Sequence, residues 1–193
     1  MKFCLAASLL YLAGGVYCAV ATPPPTRLEG FTPIPIEHDL PTAISVLTAV
    51  NTSFNVVEAA VREYHGDIAS LRAAASDFLS TIQSGTTTVN GMTPLTAAEC
   101  LSLISPARDL QDRSRALAIQ LKEKKTIVQR HKHCATIHDF LDKGTPLSVG
   151  LITAVVSKVP KNFRGIVQRE GDKITKEIKD SRETFAPVNC SDA

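Results

Sequence analysis

The chain has 193 residues, 21 Lys+Arg against 19 Asp+Glu, and a formal net charge of +2. That balance excludes a nucleic-acid binder acting by bulk positive charge, and 44% hydrophobic with 21% charged residues excludes disorder throughout. Five Cys without a CxxC pair exclude a disulfide-dense mini-scaffold, a zinc ribbon and a thioredoxin-like site.

Residues 1–21 read as a secretory signal peptide. Lys2 forms a short basic region, residues 3–20 are almost wholly apolar, and Ala19-Val20-Ala21 supplies a small-x-small cleavage pattern before Thr22. A signal anchor is the alternative, but Gly14, Gly15 and Cys18 followed by Pro23-Pro24-Pro25 do not suit a span. No second apolar run of that length is expected, and residues 188–193 carry no hydrophobic tail for a lipid-anchor signal. The expected product is secreted, extracellular or in the cell wall, soluble and without a membrane span. Removing 21 residues leaves 172 with a formal charge of +1, three cysteines (Cys100, Cys134, Cys190) and no Trp. The core must therefore be aliphatic and Ala-rich.

Residues 22–38 hold Pro23, Pro24, Pro25, Pro33 and Pro35 and read as an extended linker, since proline fixes φ and removes donors. From there the hydrophobic period is helical. Leu47, Val50, Phe54, Val57, Val61 and Tyr64 step 3-4-3-4-3, and Gly66 closes that first helix. Ile68, Leu71, Ala75, Phe78 and Ile82 repeat the step in a second helix, which Gly85-Thr86-Thr87-Thr88 is expected to break. Thr96-Ala97-Ala98-Glu99 is a capping box. A short helix opened there is expected to end at Ser105-Pro106, where a long one begins with Pro at its first position. Residues 106–131 would span about 39 Å. Leu103, Ala107, Leu110, Ser114, Leu117, Leu121, Lys124 and Val128 form its seam. A fourth helix carries Ile137, Leu141, Leu151, Val155 and Val159, interrupted near Gly144-Thr145-Pro146. The fifth starts at Pro160 and carries Phe163, Val167, Ile174, Ile178 and Phe185, with outer pairs Lys173/Glu177, Lys176/Asp180 and Lys179/Glu183. The fold class is all-α: an antiparallel bundle of four to five helices over residues 39–187, ahead of a tail at 188–193.

Tyr64-His65-Gly66, Leu121-Lys122-Glu123-Lys124-Lys125, Ser157-Lys158-Val159-Pro160 and the ending Phe185-Ala186 give the chain its resemblance to the fungal hydrophobic-surface-binding and cell wall galactomannoprotein family. The likeness runs over about residues 39–186 and rests mostly on the spacing of apolar positions. It departs in the three cysteines and in a His cluster. Members are secreted helical proteins associated with the cell wall, hydrophobic surfaces, fatty acids or other lipids. The resemblance thus implies a glycosylated, non-enzymatic mannoprotein that binds a fatty acid, another lipid or a hydrophobic surface, with cell-wall polysaccharide as a further candidate partner. A secreted interaction module, an inhibitor or effector docking a partner protein through a helix face, is the alternative.

Long aliphatic seams with few aromatics either pack tightly or leave a groove. Leu71, Phe78, Leu110, Leu117, Leu121, Leu151, Val155 and Ile174 are the candidate walls of such a groove. Lys124 is the one charge on the third helix's seam: either its stem snorkels or its ammonium meets a lipid carboxylate at the groove mouth. Lys122, Lys124, Lys125, Arg130 and Lys132 form a basic run, read as a solvated helix end or as a surface for anionic groups. His131, Cys134 and His138, with His133 beside them, would share one face of a continuous helix; no fourth ligand is evident, and no metal is assigned. An antiparallel pairing of the last two helices brings Cys134 beside Cys190 and leaves Cys100 at the opposite end, so a Cys134–Cys190 bridge and a free Cys100 are expected. Asn51-Thr52-Ser53 and Asn189-Cys190-Ser191 are glycosylation sequons, with Asn51 expected to be exposed; Thr22 and Thr26 suit O-mannose. There is no GxSxG elbow, HExxH, phosphate loop or dinucleotide fingerprint, so no catalytic residue and no cofactor are assigned.

Overall fold

The computed structural model describes residues 39–192. The signal peptide, the Pro-rich linker and the O-mannose positions fall outside them. Five helices occupy the described residues: α1 (Leu40–Glu63), α2 (Ala69–Gly91), α3 (Ala97–Arg130), α4 (Cys134–Lys158) and α5 (Lys161–Thr184).

The helices form a closed ring. α1 packs on α2 and α3, α2 on α4, and α5 on both α3 and α4, while α3 and α4 barely touch. Directions follow from the cross-contacts. The Phe54 and Phe78 rings meet edge to face at 5.0 Å while Val46, earlier in α1, lies against Gly85, later in α2, so α1 and α2 are antiparallel; Arg182 with Asp142 and Gly171 against Ile152 show the same for α4 and α5. α1 and α3 run parallel, because Gln120 bonds Glu58 near the middle and Lys124 reaches the end of α1. Val50, Ile82, Leu103 and Leu151 belong to one core cluster, and Val61, Leu71, Leu121, Ile137 and Phe185 to a second nearer the other end. Contrary to the expectation of no second long apolar run, α1 is long and apolar enough by composition to cross a membrane. Its buried stripe Val46, Val50, Phe54, Val57 and Val61 instead joins the bundle.

Three expected helix breaks are absent. α2 continues through Gly85 to Gly91 because the hydroxyls of Thr86, Thr87 and Thr88 fold back onto the carbonyls of Ile82, Gln83 and Ser84, which keeps them from competing for other backbone groups. Gly85 has a packing role: a Cβ there would stand 3.0 Å from Val46 Cγ1. α3 is one helix of 34 residues with Pro106 inside it, and α4 one of 25 residues with Pro146 inside it. A helical proline leaves one upstream carbonyl without its donor. Here those carbonyls belong to Ser102 and Asp142, both exposed residues, so neither carbonyl is sealed away from solvent.

The helix ends are closed mostly from other elements. Thr96 and Glu99 form the capping box at the start of α3. The Lys158 ammonium donates to the Asn90 and Met92 carbonyls at the end of α2, and Arg164 donates to Val159 O at the end of α4. The Asp192 carboxylate accepts from the Cys134 and Ala135 N–H groups at 2.7 and 3.0 Å, placing negative charge at the start of α4. Cys134 and Cys190 are bridged with Cα atoms 5.6 Å apart, while Cys100 is free and buried. Gly66 takes a positive φ of 128° between α1 and α2, where the His131 ring lies so close that its Nε2 would be 2.6 Å from a Cβ. On the outer face of α5, Lys176 pairs with Asp180, whereas Lys173 pairs with Glu170 and not with Glu177.

Candidate functional site

A cavity of about 100 Å³ lies within the bundle, and all five helices contribute to its wall. Phe54, Val57 and Val61 come from α1; Leu71, Ala75, Phe78 and Leu79 from α2. Ser114, Leu117, Ala118 and Leu121 come from α3, and Ile137, Phe140, Leu141, Gly144 and Ser148 from α4. α5 adds Glu177, Ile178 and Ser181. Each set falls at i, i+3 and i+4 positions, as one face of a helix must. The space persists because Ala75, Ala118 and Gly144 stand where larger side chains would fill it.

Polar groups interrupt this apolar wall. Ser114, Ser148 and Ser181 are buried. Ser181 donates to the Glu177 carbonyl, whereas the Ser114 and Ser148 hydroxyls form no hydrogen bond among the described residues. Glu177 is half-buried and is the one ionisable residue in the lining.

The candidate wall residues divide. Leu71, Phe78, Leu117 and Leu121 line the cavity. Leu110, Leu151 and Val155 do not: they pack in the core cluster toward the other end, filling space that the cavity does not reach. Ile174 is half-buried on α5 outside the lining, and the cavity meets that helix one turn later at Ile178. Lys124 is not among the lining residues. Its ammonium donates to the Arg62 and Tyr64 carbonyls at 2.8 and 3.0 Å, because parallel packing carries this part of α3 to the C-terminus of α1, where unsatisfied carbonyls attract a cation.

The His cluster does not share one helical face. α3 ends before His131, Lys132 takes a φ of 60°, and α4 begins at Cys134, so the continuous helix that would align three ligands is absent. His133 Nδ1 and the buried Tyr64 hydroxyl are 2.7 Å apart. Burial, then the nearby Asp192 carboxylate, pushes the Tyr64 phenol above its ordinary pKa. Among the described residues no group of three His, Cys, Asp or Glu converges as a metal site. Asn51 is not exposed as expected: it is half-buried with Oδ1 enclosed and unpartnered, because α1 turns this edge toward its neighbours. Asn189 is exposed, with its amide donating to the Glu183 carbonyl. Ser114, Ser148, Glu177 and Ser181 were not singled out as site residues from sequence. A serine within an otherwise aliphatic seam, as at position 114, was the available signal.

The family model described as hydrophobic surface binding protein A matches residues 40–157. Cell wall mannoprotein 1 of Aspergillus fumigatus is 26% identical over 161 residues, covering 83% of this chain and 56% of that protein. Its namesake in Aspergillus flavus is 22% identical over 147 residues, 76% of this chain and 54% of that protein. The chain thus spans about half the length of these relatives. Ligand binding domain 2 of the Penicillium marneffei MP1 protein, complexed with multiple arachidonic acids, superposes with a TM-score of 0.75 at 22% identity, covering 78% of this chain and 98% of that one. AFMP4P in complex with palmitic acid superposes with a TM-score of 0.73 at 17% identity, covering 77% of this chain and 100% of that one. These two likenesses establish a shared all-helical fold.

Proposed function

Because the chain belongs to the hydrophobic surface binding protein A family, we propose that it is a secreted, cell-wall-associated, non-enzymatic protein that binds the acyl chain of a fatty acid or other lipid between its helices. The observation that carries this reading is the apolar cavity walled by all five helices. Tight packing is the rule for a core of this composition, so retained space beside Ala75, Ala118 and Gly144 is a departure that a guest explains. The fatty acids named with the superposable MP1 and AFMP4P structures support the same chemistry.

Size sets how the guest enters. About 100 Å³ is roughly three times the ~30 Å³ share of a water molecule, enough for about four methylenes. At about 0.8 kcal/mol per CH₂ these supply ~3 kcal/mol, whereas micromolar affinity needs ~8 kcal/mol, or about ten methylenes. A full acyl chain therefore widens the bundle. α5 is the wall that yields: it bridges α3 and α4, which barely touch, and only Gly171 and Ser181 are buried along its length.

The test is to extract the purified secreted protein with organic solvent, identify what it carried, and reload the stripped protein with palmitate under native mass spectrometry. Expected are a lipid in the extract, a one-to-one complex after reloading, and a rise in melting temperature with ligand. An empty extract, no complex and no thermal shift would overturn the reading.

A further inference from the structure

We propose that the Phe54–Phe78 ring pair is the end stop of the acyl site and sets how many chain carbons the bundle encloses. The inference rests on the acyl-binding reading above and adds a length limit to it. Helix directions order the lining by level. α3 runs with α1, α2 runs against α1, and α4 follows α2, since Leu79 lies against Gly144 and Leu151 against Gly85. α5 runs against α4. On one side the lining therefore ends at Phe54 of α1, Phe78 and Leu79 of α2, Ser114 of α3, Ser148 of α4 and Glu177 of α5. About one turn beyond come Val50, Ile82, Leu110 and Leu151, all within or packed against the other core cluster. Phe78 is the one half-buried residue, among those described, that packs against both clusters. With the buried Phe54 ring set edge to face against it, the pair stands between the cavity and that second core.

Two properties suit this pair to be a stop. Edge-to-face rings gain more than their buried area supplies, so the contact resists being pushed apart. The pair also belongs to helices that α5 does not touch, because α5 packs on α3 and α4. A guest that widens the bundle by displacing α5 therefore leaves the stop in place. Helix geometry gives the length. Phe54 to Val61, Leu71 to Phe78 and Ser114 to Leu121 each cover two turns, about 10 Å of helix axis. An extended chain of single bonds advances about 1.2 Å per bond, as extended backbone does in covering ~3.3–3.6 Å with three. The lined length thus encloses about nine bonds, or roughly ten carbons. Carbons beyond these stay outside the lining and add little affinity.

The experiment offers the stripped secreted protein the even-numbered saturated fatty acids from hexanoate to hexadecanoate at neutral pH. Adjacent lengths compete at known free concentration, and native mass spectrometry reads the bound ratio for the wild type, Phe78→Ala, Phe78→Leu and Leu103→Ala. In the wild type, affinity is expected to rise about tenfold per two carbons up to decanoate and less than about threefold per step beyond it. Phe78→Ala clears about six carbons of side chain, and partial relaxation leaves a break about four carbons later, at tetradecanoate. Phe78→Leu clears about three, and its break is expected at dodecanoate, so it carries the test alone should Phe78→Ala fail to fold. Leu103→Ala opens space deep in the other cluster and should leave the break at decanoate. An even rise through hexadecanoate in the wild type, a break that stays at decanoate in Phe78→Leu, or an equal move in Leu103→Ala would each overturn the proposal. Failure of every length to bind would instead overturn the acyl-binding reading beneath it, so the two failures are distinguishable.

Discussion

Filling the cavity should stabilise the protein and remove its ligand site in one step. Ala118 on α3 lines the space, and Ala118→Leu adds three carbons to it at little cost in helix propensity. Unfilled cavity volume costs about 24 cal/mol per Å³ in measured core mutants. Applied to about 100 Å³, that rate gives an upper limit near 2.4 kcal/mol, and a leucine that fills only part of the space should recover about 1–2 kcal/mol. For a domain of this size the gain corresponds to a rise of roughly 2–8 °C in melting temperature. If α3 were packed solid at this point, the same change would cost about 1–3 kcal/mol through overpacking, so the sign of the shift decides the matter. The assay is urea and thermal unfolding of the stripped protein, followed by the same melts with saturating palmitate. Wild type should shift upward with palmitate and Ala118→Leu should not. A variant no more stable than wild type that keeps an undiminished palmitate shift would refute the reasoning.

Other consequences can be checked by similar means. Gly165→Ala on α5, where a Cβ meets nothing within 4 Å, should gain about 0.5–1 kcal/mol from helix propensity. Gly171→Ala on the same helix should lose about 1–3 kcal/mol in a urea melt, because its Cβ would overlap Ile152 Cγ2 and stand 3.1 Å from Cγ1. Lys124→Met should lose roughly 1–2 kcal/mol of stability with its two carbonyl contacts while palmitate affinity stays within about threefold; a selective loss of affinity instead would place the ammonium at the ligand. Tyr64, whose phenol pKa is raised by burial and then by Asp192, holds its proton more tightly folded than unfolded. Its contribution is complete below the unfolded phenol value of about 10 and is lost as pH rises through the folded value. Urea melts should therefore show wild type losing more stability than Tyr64→Phe on going above about pH 10.

Periodicity along the chain was enough to recover all five helices. The Val50, Phe54, Val57, Val61 stripe and the Thr96–Glu99 box carry local signals that depend on no other part of the chain, because a 3.6-residue repeat and a capping pair act within one helix. The breaks expected at Gly85, Pro106 and Pro146 did not materialise, since whether an orphaned carbonyl meets water, or a glycine meets a valine, depends on which way the turn faces. Lys124 shows the same limit. Its place on an apolar seam was visible, but its target became defined only when α1 and α3 packed in parallel and brought the Arg62 and Tyr64 carbonyls within reach.

The site was partly legible in the same sense. Leu71, Phe78, Leu117 and Leu121 belong to seams that sequence identifies, yet so do Leu110, Leu151 and Val155, which fill the opposite core cluster. A side chain that lines a cavity and one that packs solidly obey the same hydrophobic pattern, because each must leave water. Sequence determined that five amphipathic helices would gather their oily faces inward. Tertiary structure alone decided the order of the ring, the space left beside Ala75, Ala118 and Gly144, and the place of Glu177 in its wall. Empty volume is a property of several helices at once, fixed by how closely neighbouring backbones approach, and no single helix carries it in its residues.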